Sequence, residues 1–343
     1  MVEPARFLLL NPVPDKPGMK KISIIVPCFN EEAVLPELFE RLDKVAATWG
    51  MEPEIICVDD GSRDRTWELL KAKNQKNPRW RCLSFARNFG HQTAVSAGLF
   101  HATGDAVVVI DADLEDPPEE ISRLLQKWRE GYDVVYGVRQ NRKESWFKRL
   151  CYWAFYRIMA RLVAFEVPLD SGDFCLISRR VVDTINAMPE RNRFVRGLRA
   201  WSGFRQIGVP YERAARFAGK PKYSFSKLIK LATDGLFSFS TVPLRAATYL
   251  GLSVSALAFF GAVVTFVQKI FATQLAKIGL APTAGFPTIV ISILFLGGVQ
   301  LICLGILGEY IGRIYEEVKG RPLWIMRDSA GLTVSPRPPT AHE

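Results

Sequence analysis

The chain has 343 residues, of which 48% are hydrophobic and 23% charged, and a net charge of +10. That length and balance exclude a disordered chain and allow two compact units, or one large domain with a membrane module. The positive charge calls for an anionic partner (nucleic acid, acidic lipid or a phosphate-bearing ligand) without choosing among them.

Residues 1–20 are rich in proline and charge and read as a flexible leader. Phe7–Leu10 is too short an apolar patch for a secretory signal, so the catalytic part is expected to stay in the cytoplasm. Cysteines at 28, 57, 82, 151, 175 and 303 contain no C-x-x-C pair and read as buried free thiols in a reducing compartment. Short apolar runs then alternate with helical stretches. Strands are predicted at Ile22–Val26, Glu54–Val58, Arg81–Phe85, Ala106–Ile110 and Asp133–Gly137. Helices are predicted at Glu32–Trp49, Asp64–Asn77, Thr93–Ala102 and Pro118–Glu130. This alternation implies an α/β domain with a mostly parallel sheet, whose ligands sit beyond the carboxyl ends of the strands.

From about residue 140 the pattern turns to basic, aromatic helices (Trp146 to Phe165), then to a loop region ending near Ser226. Leu228 to Phe239 has apolar residues at helical spacing beside Lys227 and Lys230, as a helix in a membrane interface would, or an ordinary amphipathic surface helix. Between Arg245 and Lys269 lie 23 uncharged residues, and between Lys277 and Glu309 lie 31. A span needs roughly 20 apolar residues, so two membrane helices are expected. The outer flanks are more basic than the connection, which puts both chain ends in the cytoplasm and the hairpin outside. The resulting plan is a leader at 1–20, a catalytic domain at 21–226, a juxtamembrane helix at 227–243, a transmembrane hairpin at 244–311 and a cytoplasmic tail at 312–343.

Three strand ends carry acid groups. Asp111-Ala112-Asp113-Leu114-Glu115-Asp116 follows one strand, and its carboxylates would repel one another without a cation. Hard divalent ions such as Mg2+ or Mn2+ take such oxygen ligands and reach substrate phosphates through one or two carboxylates. The i, i+2 spacing lets Asp111 and Asp113 address different objects, one a sugar or ribose and the other a metal. Taken alone, this loop is equally an acidic helix N-terminus opened by Pro118. Pro27-Cys28-Phe29-Asn30-Glu31-Glu32 and Val58-Asp59-Asp60-Gly61-Ser62 follow two further strands, and three acidic loops at one sheet edge exceed what capping explains. His91 and His101 read as ordinary loop and surface residues.

These three segments resemble the family 2 glycosyltransferases of the GT-A fold. Together with Arg87-Asn88-Phe89-Gly90, Ser171-Gly172-Asp173-Phe174, Arg193-Phe194-Val195-Arg196-Gly197-Leu198 and Gly308 to Glu317, they are similar to polyprenyl-phosphate glycosyltransferases. That subset includes dolichol-phosphate mannose synthases and bactoprenol glucosyltransferases. The resemblance implies a Rossmann-like GT-A domain with two C-terminal transmembrane helices, and an inverting transfer of a hexose from a nucleotide-sugar, UDP-linked, to undecaprenyl phosphate. Pro27, Phe29, Glu31, Val58 and Asp60 would line the nucleotide pocket, with Arg139, Arg216 and Lys222 near the donor phosphates. Pro221 stands where the family's basic loop carries serine. Asp111 and Asp113 would form the D-x-D pair, with Asp113 and Glu115 at the metal, and Asp173 would be the acceptor-side carboxylate, acting as a base or orienting the sugar. Glu115 stands where the family often has glutamine. Arg139, Arg142, Lys143, Lys148 and Arg149 would attract the acceptor phosphate or contact anionic lipid. The partners implied are donor, lipid acceptor and membrane lipid, in a homo-oligomer at the cytoplasmic membrane; no recognisable nucleic-acid module is present. The rivals are a processive polysaccharide synthase, which would carry Q-x-x-R-W and more spans, and a non-catalytic membrane partner subunit, which the intact aspartates oppose.

Overall fold

The computed structural model describes residues 20–140, 171–213, 241–271 and 285–332. The leader, the aromatic stretch from Trp146 to Phe165, the basic residues Arg142, Lys143, Lys148, Arg149, Arg216 and Lys222, and the interfacial helix expected at 228–239 all lie outside the described residues. The chain divides into two compact units. The first holds the described residues up to 213 together with those from 320 onward, and the second holds 241–271 and 285–319.

In the first unit, strands β1 (Lys21–Cys28), β2 (Glu52–Asp59), β3 (Trp80–Phe85) and β4 (Ala106–Val109) alternate with helices α1 (Leu35–Ala46), α2 (Thr66–Lys76) and α3 (His91–His101). They pair in parallel in the order β4-β1-β2-β3. Each is apolar on both faces because helices cover both sides, and Ile22, Ile24, Ile25, Ile56 and Val108 are fully buried. Helix α1 shows the complementary pattern, burying Leu35, Leu38, Leu42 and Val45 along one stripe. Helix α3 approaches the sheet so closely that a Cβ at Gly98 would lie 2.3 Å from Ile25 Cγ2.

A short 3-10 turn (Pro118–Glu120) leads into α4 (Ile121–Arg129), then β5 (Val134–Gln140). The stretch read as a loop from the sequence instead contains β6 (Ser171–Ser178), α5 (Arg179–Ala187), α6 (Val195–Trp201) and β7 (Gln206–Glu212). Strand β6 runs antiparallel between β4 and β5, and β7 pairs in parallel with β5. A second departure concerns the tail. Met326–Ala330 forms β8, which pairs antiparallel with β3 and completes the order β7-β5-β6-β4-β1-β2-β3-β8. Trp324, 4% exposed, stacks on Phe85 at 6.2 Å, and Arg327 reaches Ser84 at 2.9 Å. The tail expected at 312–343 thus includes an edge strand, which covers the β3 edge and its aromatic flank.

The second unit consists of α7 (Val242–Ile270) and α8 (Phe286–Val318), which pack together. Within them Val242–Val267 and Ile291–Val318 are long and apolar enough to cross a membrane. Their large side chains face outward, with Leu257 71%, Phe259 73% and Leu301 72% exposed. Such a surface suits lipid and not water.

Candidate active site

The loops after β1, β2 and β3 are laced into one rim. Asn30 adopts a left-handed backbone (φ 55°), donates its N–H to Ser62 Oγ at 2.9 Å and accepts the Arg63 N–H at 2.9 Å. Glu31 donates its N–H to Thr66 Oγ1 at 2.9 Å. Gly61, at φ +70°, is required by both conformation and space, since a Cβ there would sit 2.5 Å from the Arg87 carbonyl carbon. Asp60, 3% exposed, accepts the N–H of Phe89 at 2.7 Å and of Gly90 at 3.0 Å. Burial pushes its carboxyl up, against the pull of those two amides. The side chains of Pro27 and Val58 are buried in the sheet, whereas Phe29 and Glu31 remain half-buried at the rim. Pro27 and Val58 therefore offer a pocket only their backbone, and Asp60 holds the Arg87–Gly90 loop instead of standing open.

The acidic loop leaves β4 with a clean alternation. Ala112, Leu114 and Asp116 are buried, while Asp111, Asp113 and Glu115 lie half-buried toward the rim. Leu114 sits in the left-handed region (φ 58°), which costs a branched residue about 1–2 kcal/mol. Asp113 Oδ1 accepts the Glu115 N–H at 3.1 Å, bracing the loop. Glu115 is ion-paired to Arg213, just past β7, whose Nε also lies 3.4 Å from Asp116. Fully buried Asp116 accepts a short hydrogen bond from the Tyr211 hydroxyl and lies 3.9 Å from Arg139 Nη2. Burial and then Asp116 push the Tyr211 phenol above its ordinary range. Arg139 crosses directly over Gly172, beside Asp173.

Asp173 lies at the start of β6, with His91 Nε2 at 3.4 Å and Arg196 Nη2 at 3.2 Å. His91, the first residue of α3, also lies 3.7 Å from Asp111. Burial disfavours charge on Asp173, His91 and Asp111, and for Asp173 and His91 the partners outweigh it. Arg196 and His91 hold the Asp173 carboxyl far below the usual carboxylate range. The Asp173 hydrogen bond and the fields of Asp111 and Asp173 push the His91 imidazole up to about 9. Asp111, partly desolvated and surrounded by Asp173, Asp116 and Asp113, is pushed up to about 6 despite His91.

The structure thus brings together Asp111, Asp113, Glu115, Asp173 and Arg139 of the expected residues, and the Asp60 rim adjoins them through Gly90 and His91. The sequence reading missed His91, Arg196 and Arg213. His91 followed the glycine that opens a helix in Arg87-Asn88-Phe89-Gly90, and that position was the available signal. Among the described residues no three His, Cys, Asp or Glu side chains converge closely enough to hold an ion by themselves. The oxygen donors fit a hard divalent cation shared with a diphosphate, which needs only one or two carboxylates from the protein. Asp113 and Glu115 are the half-buried carboxylates of this loop that could supply them, Glu115 being ion-paired to Arg213. Buried Asp111 Oδ1 and Arg139 Nε have no hydrogen-bond partner among the described residues, as expected of groups that face a polar ligand.

Comparison with known proteins gives matches over most of the chain. Residues 23–185 match the model for glycosyl transferase family 2, and residues 242–314 match the GtrB C-terminal hairpin. An uncharacterized glycosyltransferase of Synechocystis is 45% identical over 317 residues, 92% of this chain and 98% of its own. A prophage-derived bactoprenol glucosyl transferase of Shigella flexneri is 43% identical over 311 residues, 90% of this chain and 98% of its own. A glucosyl-3-phosphoglycerate synthase of Mycobacterium tuberculosis, solved with Mn2+, uridine diphosphate and phosphoglyceric acid, is 21% identical with a TM-score of 0.45. It aligns over 64% of this chain and 77% of its own.

Proposed function

Because the chain belongs to glycosyl transferase family 2, we propose that it moves glucose or a related hexose from a UDP-sugar to undecaprenyl phosphate. One observation carries the reading: a single chain joins an acidic strand-end site to two long apolar helices with outward-facing large side chains. A lipid acceptor explains why both are present. The likeness to a bactoprenol glucosyl transferase over 90% of the chain supports the same acceptor class.

A divalent cation, Mg2+ or Mn2+, held by Asp113 with Glu115, would supply positive charge to the departing nucleoside diphosphate. The chain's own groups do the rest. Phe29 and Glu31 at the rim, with the backbone of Pro27 and Val58, receive the nucleoside, while Asp60 fixes the neighbouring loop. Arg139, whose charge is balanced by Asp116, faces the donor phosphates. A lipid phosphate is already anionic at neutral pH, so its oxygen attacks the anomeric carbon without losing a proton. The bond to the diphosphate oxygen breaks on the opposite face, and the configuration inverts. Asp173, kept ionised by Arg196 and His91, is too weak a base for proton removal and orients the reacting groups. Arg216 and Lys222 are assigned to the donor phosphates by resemblance to the family's basic loop.

The hairpin crosses the cytoplasmic membrane with both ends inside, as its basic flanks favour, and provides the contact for a homo-oligomer. The test is a donor screen with purified protein, undecaprenyl phosphate and Mg2+ or Mn2+. Lipid-phosphate hexose formed from UDP-glucose with an inverted anomeric signal in NMR supports the reading. Nucleotide release without a lipid product from any donor overturns it.

A further inference from the structure

Strand β4 pairs antiparallel with β6, with Val109 opposite Cys175. Continuing that register two residues past the end of β4 sets the loop residue Asp111 opposite Asp173 of β6, and the two carboxylates lie in each other's field at the rim. Like charges directly opposite on a sheet are destabilising. His91 Nε2 lies between them, 3.4 Å from Asp173 and 3.7 Å from Asp111. It enters from a third element, the first turn of α3, where Gly90 at φ 102° opens the helix. We propose that His91 is a positioning residue of the transfer reaction, holding Asp111 and Asp173 at one fixed separation. This rests on the transferase reading, with Asp111 taken as the donor-side half of the D-x-D pair and Asp173 as the acceptor-side carboxylate.

The surroundings agree with a charged imidazole. A helix N-terminus is an unfavourable place for a cation, so its charge depends on the two carboxylates. Asp60 adds negative field from the β2 loop, and Arg196, on α6, is the opposing cation that shares Asp173. Helix α6 is itself fixed to α3, because the Gln92 side-chain carbonyl accepts the Val195 N–H at 3.0 Å. The same helix start therefore carries His91 and seats the helix of Arg196. His91 keeps 41% of its side chain exposed, so it borders the open site and is no core residue. Misplacement of reacting groups by about 1 Å costs rate on the order of 100-fold, and a loosened Asp111–Asp173 pair is such a misplacement.

The experiment compares His91→Gln, His91→Lys and the double variant His91→Gln with Asp111→Asn, which leaves the Asp173–Arg196 pair intact, in full-length protein. His91→Gln keeps size and a hydrogen bond but no charge. It is expected to lower kcat roughly 100-fold while leaving the KM for UDP-sugar within about threefold. His91→Lys restores most of that loss because it returns the cation. In thermal unfolding, the double variant melts above His91→Gln alone, because removing one carboxylate removes the repulsion. Full kcat in His91→Gln on an active wild-type background overturns the proposal. So does a lysine variant no better than glutamine, or a double variant melting below the single. If wild-type protein transfers no sugar, the transferase reading fails, and the unfolding comparison still decides what His91 does to the two carboxylates.

Discussion

Replacing Asp60 with asparagine separates a scaffolding role from direct nucleotide contact. The carboxylate accepts two backbone N–H groups, from Phe89 at 2.7 Å and Gly90 at 3.0 Å. Hydrogen bonds to a charged group contribute about 1.5–3 kcal/mol each. An amide retains one acceptor, enough for Phe89, but turns its NH2 on the Gly90 N–H, so one bond is lost and two donors face each other. The burial that already disfavours the ionised carboxyl offsets part of that cost. The balance is about 2 kcal/mol, or a fall in unfolding temperature of about 4–8 °C for a domain of this size. Tryptophan fluorescence reports it, since Trp80 is fully buried in the same unit. The fall is expected without nucleotide, and UDP affinity should drop as the loop loosens. An unchanged melting temperature without nucleotide, combined with weaker UDP binding, would refute the scaffolding argument and make Asp60 a direct contact.

Asp113→Asn is expected to abolish turnover while the protein stays folded and membrane-bound; near wild-type transfer by that variant would remove the metal assignment. Arg213→Ala should strengthen Mn2+ binding in the absence of donor by about tenfold, because it frees Glu115 from its ion pair; titration calorimetry reads this, and weaker binding would show that Arg213 supports the site. The His91 imidazole, pushed up to about 9 by Asp173 and Asp111, contributes stability that is fully present below its unfolded value near 6.5. That contribution is lost as pH rises through about 9, so the wild-type melting temperature should fall between pH 6.5 and 9.5, more steeply than in His91→Gln. Parallel profiles for the two proteins would contradict the charge assignment.

Much of the first half was legible in the sequence because central parallel strands are buried on both faces and read as unbroken apolar runs, as in Ile22–Val26 and Ala106–Ile110. The second half was not. Strand β6 reads Ser-Gly-Asp-Phe-Cys-Leu-Ile-Ser, and its first residues serve the site and not the core, so no strand pattern shows. Strand β8, Met-Arg-Asp-Ser-Ala, has no apolar period because it lies at an edge, where Arg327 reaches Ser84 and Asp328 pairs with Lys71. The acidic loop was visible as a cluster of charge. The loop's partners His91 and Arg213, and Arg196 beside Asp173, come from other parts of the chain, and none stands in a cluster of charge that would mark it. Charge balance across a site is a property of the fold, which is why carboxylates were found and their counter-ions missed.

The position of β8 has a practical meaning. The apolar hairpin is an insertion in the catalytic domain, since 320–332 rejoin the first unit after the second long helix. Cutting the gene before residue 242 would strip away Trp324 and Arg327, leaving the β3 backbone edge and Phe85 open to pairing with other chains. A water-soluble enzyme therefore calls for a short linker in place of the hairpin, with the last strand kept. During synthesis the sheet gains its final strand only after both apolar helices have been made, so a ribosome that stalls within the hairpin releases an enzyme with an unfinished edge.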